Sequence, residues 1–194
     1  MKIGLYFGSF NPVHIGHLII ANHLLNESDL NKVWFIVSPQ NPFKASSSLL
    51  NEYNRLHMVR LAIENDNRLN ASNIEFHLPK PSYTVNTLTY LKEKYPQHEF
   101  FIIMGSDSFQ NLDKWKNYEV IVKNYKIYIY KRTGFEVAND LNANIEIVEA
   151  PLLNISSTEI RKLIQQNKSI KYLVPEAVRG EIEAAGYYKN AGIK

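Results

Sequence analysis

Two histidines three positions apart close the segment Gly8-Ser9-Phe10-Asn11-Pro12-Val13-His14-Ile15-Gly16-His17. In one helical turn, side chains at that spacing project from the same side. Asn11 followed by Pro12 predicts a cap and a first helical position. A helix start offers unpaired N–H donors and a positive dipole end, hence a site for an anion. Two imidazoles aimed at that end can donate to phosphate oxygens and stabilise charge developing there. Gly8 permits a backbone turn and lets main-chain N–H groups approach a ligand closely. Gly16 leaves room between the histidines for something flat or bulky. A zinc site would need a third ligand, and none is placed nearby, so no metal ligand is assigned.

A second segment with anion-binding chemistry is Ile155-Ser156-Ser157-Thr158-Glu159-Ile160-Arg161. Ser156 with Glu159 three residues later spells a capping box, which announces a helix N-terminus. Extra hydroxyls and an arginine on the next turn make that helix start a second place for a phosphate.

The elements that must position these groups follow from hydropathy. Short apolar runs at Ile3–Phe7, Val33–Val37, Phe100–Met104, Ile127–Tyr130 and Ile145–Val148 read as strands buried on both faces, as a helix-covered parallel sheet requires. Between them, Ile15, Leu18, Ile19, Ala21, Leu24 and Leu25 keep the spacing of a helix packed on a sheet. Tyr53, Leu56, Arg60 and Ile63 mark a second helix, with one charged residue in its stripe. Val85, Leu88, Leu91 and Tyr95 mark a third; Ile160, Leu163 and Ile164 a fourth; and Glu176 to Ala185 a last. The alternation predicts an α/β, doubly wound open parallel sheet, with ligands beyond the carboxyl ends of the strands. Ser38–Leu50, rich in Pro, Asn and Ser, reads as a mobile loop at one of those ends. The 194 residues suffice for one domain, expected over 1–190 with a tail at 191–194.

Composition narrows the classes further. Charge is 22 Lys+Arg against 19 Asp+Glu with no clustered basic stripe, which argues against a nucleic-acid surface. Without cysteine, disulfides, thiolate metal sites and cysteine nucleophiles are excluded. The start of the chain reads as a strand, not a leader, and no apolar run approaches a membrane span. A cytoplasmic protein is expected, with oligomeric state left open, a homo-oligomer included.

The histidine segment resembles the HxGH nucleotidyltransferase superfamily, and within it most closely the bacterial nicotinate-nucleotide adenylyltransferases. The resemblance implies a Rossmann-like nucleotidyltransferase fold and an ATP site at Gly8, Ser9, Phe10 and Gly16, with His14 and His17 steadying the α-phosphate under attack. The Ser156–Arg161 segment is similar to the superfamily's Ile-Ser-Ser-Thr pattern, which implies contacts to the β- and γ-phosphates from Ser156, Ser157 and Arg161.

Three middle segments extend the likeness. Pro81-Ser82-Tyr83-Thr84-Val85-Asn86-Thr87-Leu88 resembles the family's pyridine-nucleotide segment, implying acceptor contacts from Tyr83 and Thr84; Asn86 replaces the usual Asp and removes its charge. Gly105, Asp107 and Trp115 resemble a Gly-x-Asp…Trp element, implying close backbone approach, acceptance from ribose hydroxyls and a ring stacked on nicotinate. Asn41-Pro42-Phe43-Lys44 resembles a loop whose lysine meets the mononucleotide phosphate, with Phe43 in place of a common His. Arg132 matches an Arg-x-Gly turn. The implied reaction is adenylyl transfer from ATP, with Mg²⁺ on the phosphates, to nicotinate mononucleotide. Competing readings are the same transfer to nicotinamide mononucleotide or phosphopantetheine, a CTP-dependent transfer to a phosphorylated alcohol, a non-catalytic nucleotide-binding or sensing module, and a tRNA-linked role that salt-dependent RNA retention would reveal.

Overall fold

In the computed structural model, residues 1–40, 49–151 and 154–189 are described. Six strands form one parallel sheet: β1 (Lys2–Gly8), β2 (Lys32–Val37), β3 (Leu69–Ser72), β4 (Glu99–Gly105), β5 (Ile127–Tyr130) and β6 (Ile145–Val148), in the order β3-β2-β1-β4-β5-β6. The order reverses between β1 and β4, so their carboxyl ends open a crevice in which an open α/β sheet receives ligands.

Among the described residues, α1 (Ile15–Glu27), α2 (Glu52–Ile63), α3 (Thr84–Lys94), α4 (Ser106–Phe109) and α5 (Tyr118–Asn124) lie between strands, and α6 (Ser157–Gln165) and α7 (Glu176–Ala185) follow β6. Because strand side chains alternate between faces, each central strand feeds two cores. From β4, Phe101 and Ile103 join α1, α2, α6 and α7 on one face, while Phe100, Ile102 and Met104 meet α3, α4 and α5 on the other. This is the doubly wound arrangement that the apolar runs predict.

Three local features differ from the sequence expectations. Asn11 and Pro12 do not start α1: they share a cis peptide in a turn, and the N-cap is His14. The left-handed residue of that turn is Phe10, at φ 46°, and not Gly8; the space a Gly8 Cβ would need holds the Phe10 ring, 2.8 Å away. In α2, Tyr53 and Arg60 face solvent, and the buried stripe runs through Arg55, Leu56, Met58, Val59 and Ile63. β3, of sequence Leu-Asn-Ala-Ser, carries no apolar run because it is a half-exposed sheet edge that packs little core.

Candidate active site

The cavity at the β1–β4 crevice holds about 410 Å³ and is lined by residues from both ends of the chain. Its wall includes Gly8, Ser9, Phe10, His14 and His17 after β1; Tyr83 and Thr84 at the start of α3; Gly105, Asp107 and Trp115 after β4; Arg132 after β5; and Ser156, Ser157 and Arg161 at the start of α6. Gly16 does not line it. The room beside Gly16 is taken by His14 itself, whose Nδ1 would lie 3.1 Å from a Cβ there. Lys44 lies outside the described residues, as do Phe43 and most of the loop expected at Ser38–Leu50.

His14 is the N-cap of α1 and His17 its third residue, so the rings overlie each other with centroids 3.6 Å apart and planes 26° from parallel. The His14 backbone N–H donates to His17 Nδ1 at 3.2 Å. Since Nδ1 is thereby an acceptor, the neutral His17 ring carries its proton on Nε2. Phe10 and Tyr6 pack edge-on against the same ring at 5.1 and 5.9 Å. Phe10 is only 2% exposed, so its ring serves the core and braces His17.

His14 is 4% exposed, and its Nδ1 has no hydrogen-bond partner among the described residues. Burial, reinforced by the charge of Arg132, pushes its pKa down to about 4. At neutral pH it is therefore a neutral hydrogen-bonding group, not a resident cation.

The α6 segment reaches the histidine turn directly. Ser157 Oγ donates to the Pro12 carbonyl at 2.9 Å, and an Arg161 guanidinium nitrogen donates to the Asn11 carbonyl at 2.7 Å. Ser156 caps α6, its Oγ accepting from Glu159 N–H at 3.1 Å, which realises the predicted cap. Ser157 thus spends its hydroxyl proton on the protein, while the Ser156 hydroxyl keeps its own proton to donate.

On the β4 side, Asp107 pairs with Arg132 at 3.2 Å, and Arg132 lies over the Tyr130 ring. A Cβ at Gly105 would collide with Asp107 Oδ1, so the glycine makes room for that carboxylate and does not serve an unusual φ.

Three contributors escape the sequence reading. Arg55 is fully buried and donates to four carbonyls: Leu50 (2.8 Å), Ser9 (2.5 Å), Ser38 (2.8 Å) and Pro39 (3.2 Å). Burial lowers its pKa to about 10, which leaves it charged at neutral pH. It fastens the turn after β1 to the segment after β2. The only available signal was a charge in the middle of an apolar helix face, and Arg60 offered the same signal falsely. Glu75, 2% exposed, accepts from Thr87 Oγ1 at 2.9 Å, and burial raises its pKa. Lys116 joins the cavity wall next to Trp115. Neither stands in a motif.

One end of the cavity therefore gathers imidazoles, a helix start and hydroxyls suited to phosphate, and the other gathers aromatic rings suited to a flat base. A relative from Cytophaga hutchinsonii, a "Probable nicotinate-nucleotide adenylyltransferase", is 52% identical over 193 residues, covering 98% of this chain and 100% of its own length. The chain belongs to the nicotinate-nucleotide adenylyltransferase family. A relative of the same name from Flavobacterium psychrophilum is 50% identical over 192 residues, covering 97% of this chain and all of its own. Residues 5–163 match the broader cytidylyltransferase-like family, so this member is a nucleotidyltransferase. The family fold is seen in the Plasmodium falciparum nicotinic acid mononucleotide adenylyltransferase in complex with NaAD, which superposes with a TM-score of 0.83 over 96% of this chain and 97% of its own at 22% identity. Among the described residues, no helix is long and apolar enough to cross a membrane.

Proposed function

We propose that this nucleotidyltransferase moves the adenylyl group of ATP onto the 5′-phosphate of nicotinate mononucleotide, as a step of NAD biosynthesis in the cytoplasm. An oxygen of that phosphate attacks the α-phosphorus in line, the α–β bridging bond breaks, and pyrophosphate leaves with the electron pair. Nicotinate adenine dinucleotide is the other product. The observation that carries this reading is the stacked His14–His17 pair at the start of α1, in one cavity with the Tyr83, Thr84 and Trp115 wall.

Such a reaction asks for positioning and charge stabilisation more than for proton transfer. His17 Nε2–H and the neutral His14 ring meet the transferring and leaving phosphates as donors. Backbone N–H groups of the Gly8–Phe10 turn and of Ser157, the Ser156 hydroxyl and Arg161 hold the triphosphate. Tyr83, Thr84, Gly105, Asp107, Trp115 and Arg132 take the acceptor, with Lys44 on its phosphate. ATP enters as its magnesium complex. The carboxylates lining the cavity, Asp107 and Glu75, are engaged by Arg132 and Thr87, which suits an ion held mainly by phosphates and water.

The test is pyrophosphate release from Mg-ATP with nicotinate mononucleotide, nicotinamide mononucleotide, phosphopantetheine or no acceptor in parallel. Release with nicotinate mononucleotide, lowered on the order of 10²-fold or more in His17→Ala, is the expected result. Wild-type turnover in that variant would remove His17 from the role. Release only with another acceptor would keep the phosphate chemistry and discard the acceptor assignment.

A further inference from the structure

Among the described residues, the acceptor end of the cavity contains one cation, Lys116, whose charge no acidic side chain answers. Lys116 follows Trp115 in the chain and lines the same wall as Tyr83 and Thr84. Its Nζ sits 4.6 Å from the centroid of the Tyr83 ring. Among the described residues no carboxylate pairs with it. The other described arginines of the cavity wall are occupied, Arg132 by Asp107 and Arg161 by the Asn11 carbonyl.

Neither acidic residue of the cavity wall forms an ion pair with Lys116. Asp107 is bound to Arg132, and Glu75 is buried with one oxygen taken by Thr87. The first turn of α3, where Tyr83 and Thr84 stand, has no acidic residue and no side-chain cap. Its dipole adds to the Lys116 charge instead of opposing it.

We propose that Lys116 is a specificity-determining residue that favours an acceptor bearing an anionic substituent on its pyridine ring over one bearing a neutral amide. The inference rests on the pyridine-nucleotide reading of the cavity. Stacking over Tyr83 places the ammonium at the edge of the aromatic wall, within reach of a group carried by a ring lying against it. Nicotinate presents a carboxylate there and nicotinamide does not, whereas both mononucleotides carry the same phosphate. A lysine bound to that phosphate would strengthen both acceptors equally, so the ratio of the two affinities isolates the ring substituent.

The experiment is calorimetric titration of nicotinate mononucleotide and nicotinamide mononucleotide into the wild type, Lys116→Met and Lys116→Arg, with transfer rates for both acceptors in parallel. Lys116 is exposed, so the variants keep the fold, and unchanged melting curves verify it. Expected is about a tenfold loss of affinity for nicotinate mononucleotide in Lys116→Met, the scale of one partly screened charge pair. Nicotinamide mononucleotide should change less than about twofold, and Lys116→Arg should restore the ratio. An equal loss for both acceptors, or an unaltered ratio, overturns the proposal. If the wild type binds with the expected ratio but releases no pyrophosphate, the adenylyl-transfer reading fails and the role of Lys116 stands. If it binds neither mononucleotide, both fail.

Discussion

Arg161 on α6 donates to the carbonyl of Asn11, 150 positions earlier and three residues before His14. The histidine turn and the start of α6 are therefore hydrogen-bonded to one another, not merely neighbours across a crevice. Ser157 reinforces the link through the Pro12 carbonyl. Arg161 therefore holds the turn before the histidines, and in the proposed reaction the same side chain would also offer charge to the triphosphate.

Burial of His14 makes stability depend on pH in a defined direction. Its pKa is about 4 in the folded protein against an ordinary 6.5. Between those values the unfolded chain takes up a proton that the folded protein does not, so stability is lost as pH falls through the window, by at most about 3 kcal/mol from this group. His14→Asn keeps a good capping residue and removes the titration. Melting temperatures from pH 7 to 4.5 should fall less steeply in the variant than in the wild type; parallel slopes would show that His14 is not the group responsible.

Arg55 should matter to both stability and ATP affinity. Arg55→Met leaves four carbonyls without their donor, a loss of about 3 kcal/mol or more and roughly 6–12 °C in melting temperature for a chain of this size. Because one of those carbonyls belongs to Ser9, ATP should also bind more weakly to folded protein held well below its midpoint. Arg55→Lys should recover only part of either effect, since an ammonium cannot reproduce the planar fork that reaches all four acceptors. A drop in midpoint with intact ATP binding would confine Arg55 to stability.

Gly105→Ala tests the packing at the end of β4. The added methyl displaces the Asp107 carboxylate and with it the pair to Arg132. The KM for the acceptor should rise about tenfold, the scale of one charge-assisted hydrogen bond, while the KM for ATP stays within error. Equal effects on both substrates would mean that the displacement spreads across the crevice.

The parts of this site that were readable in advance are those whose chemistry lies in residue identity and local spacing. His14 and His17 announce themselves through their three-residue interval, and Ser156 with Glu159 through the capping pattern. The central strands were equally readable because burial on both faces demands unbroken apolar runs. Long-range choices were hidden. Nothing local says that Arg55 turns inward while Arg60 turns out, because the acceptors of Arg55 come from three separate segments. Nothing local says that Phe10 adopts a left-handed conformation, which costs on the order of 1–3 kcal/mol and is held by the surrounding core. Asn11 misled for the same reason: its side-chain oxygen accepts from Leu50 N–H and the Tyr188 hydroxyl, distant partners that outbid a role at the helix start.

That asparagine also sets an order in time. Its oxygen waits for Tyr188, 177 positions downstream, and its carbonyl for Arg161. A nascent chain emerges amino end first, so both histidines leave the ribosome long before the groups that hold their turn in place. The turn that leads into His14 and His17 is among the first segments synthesised and among the last to acquire its final contacts.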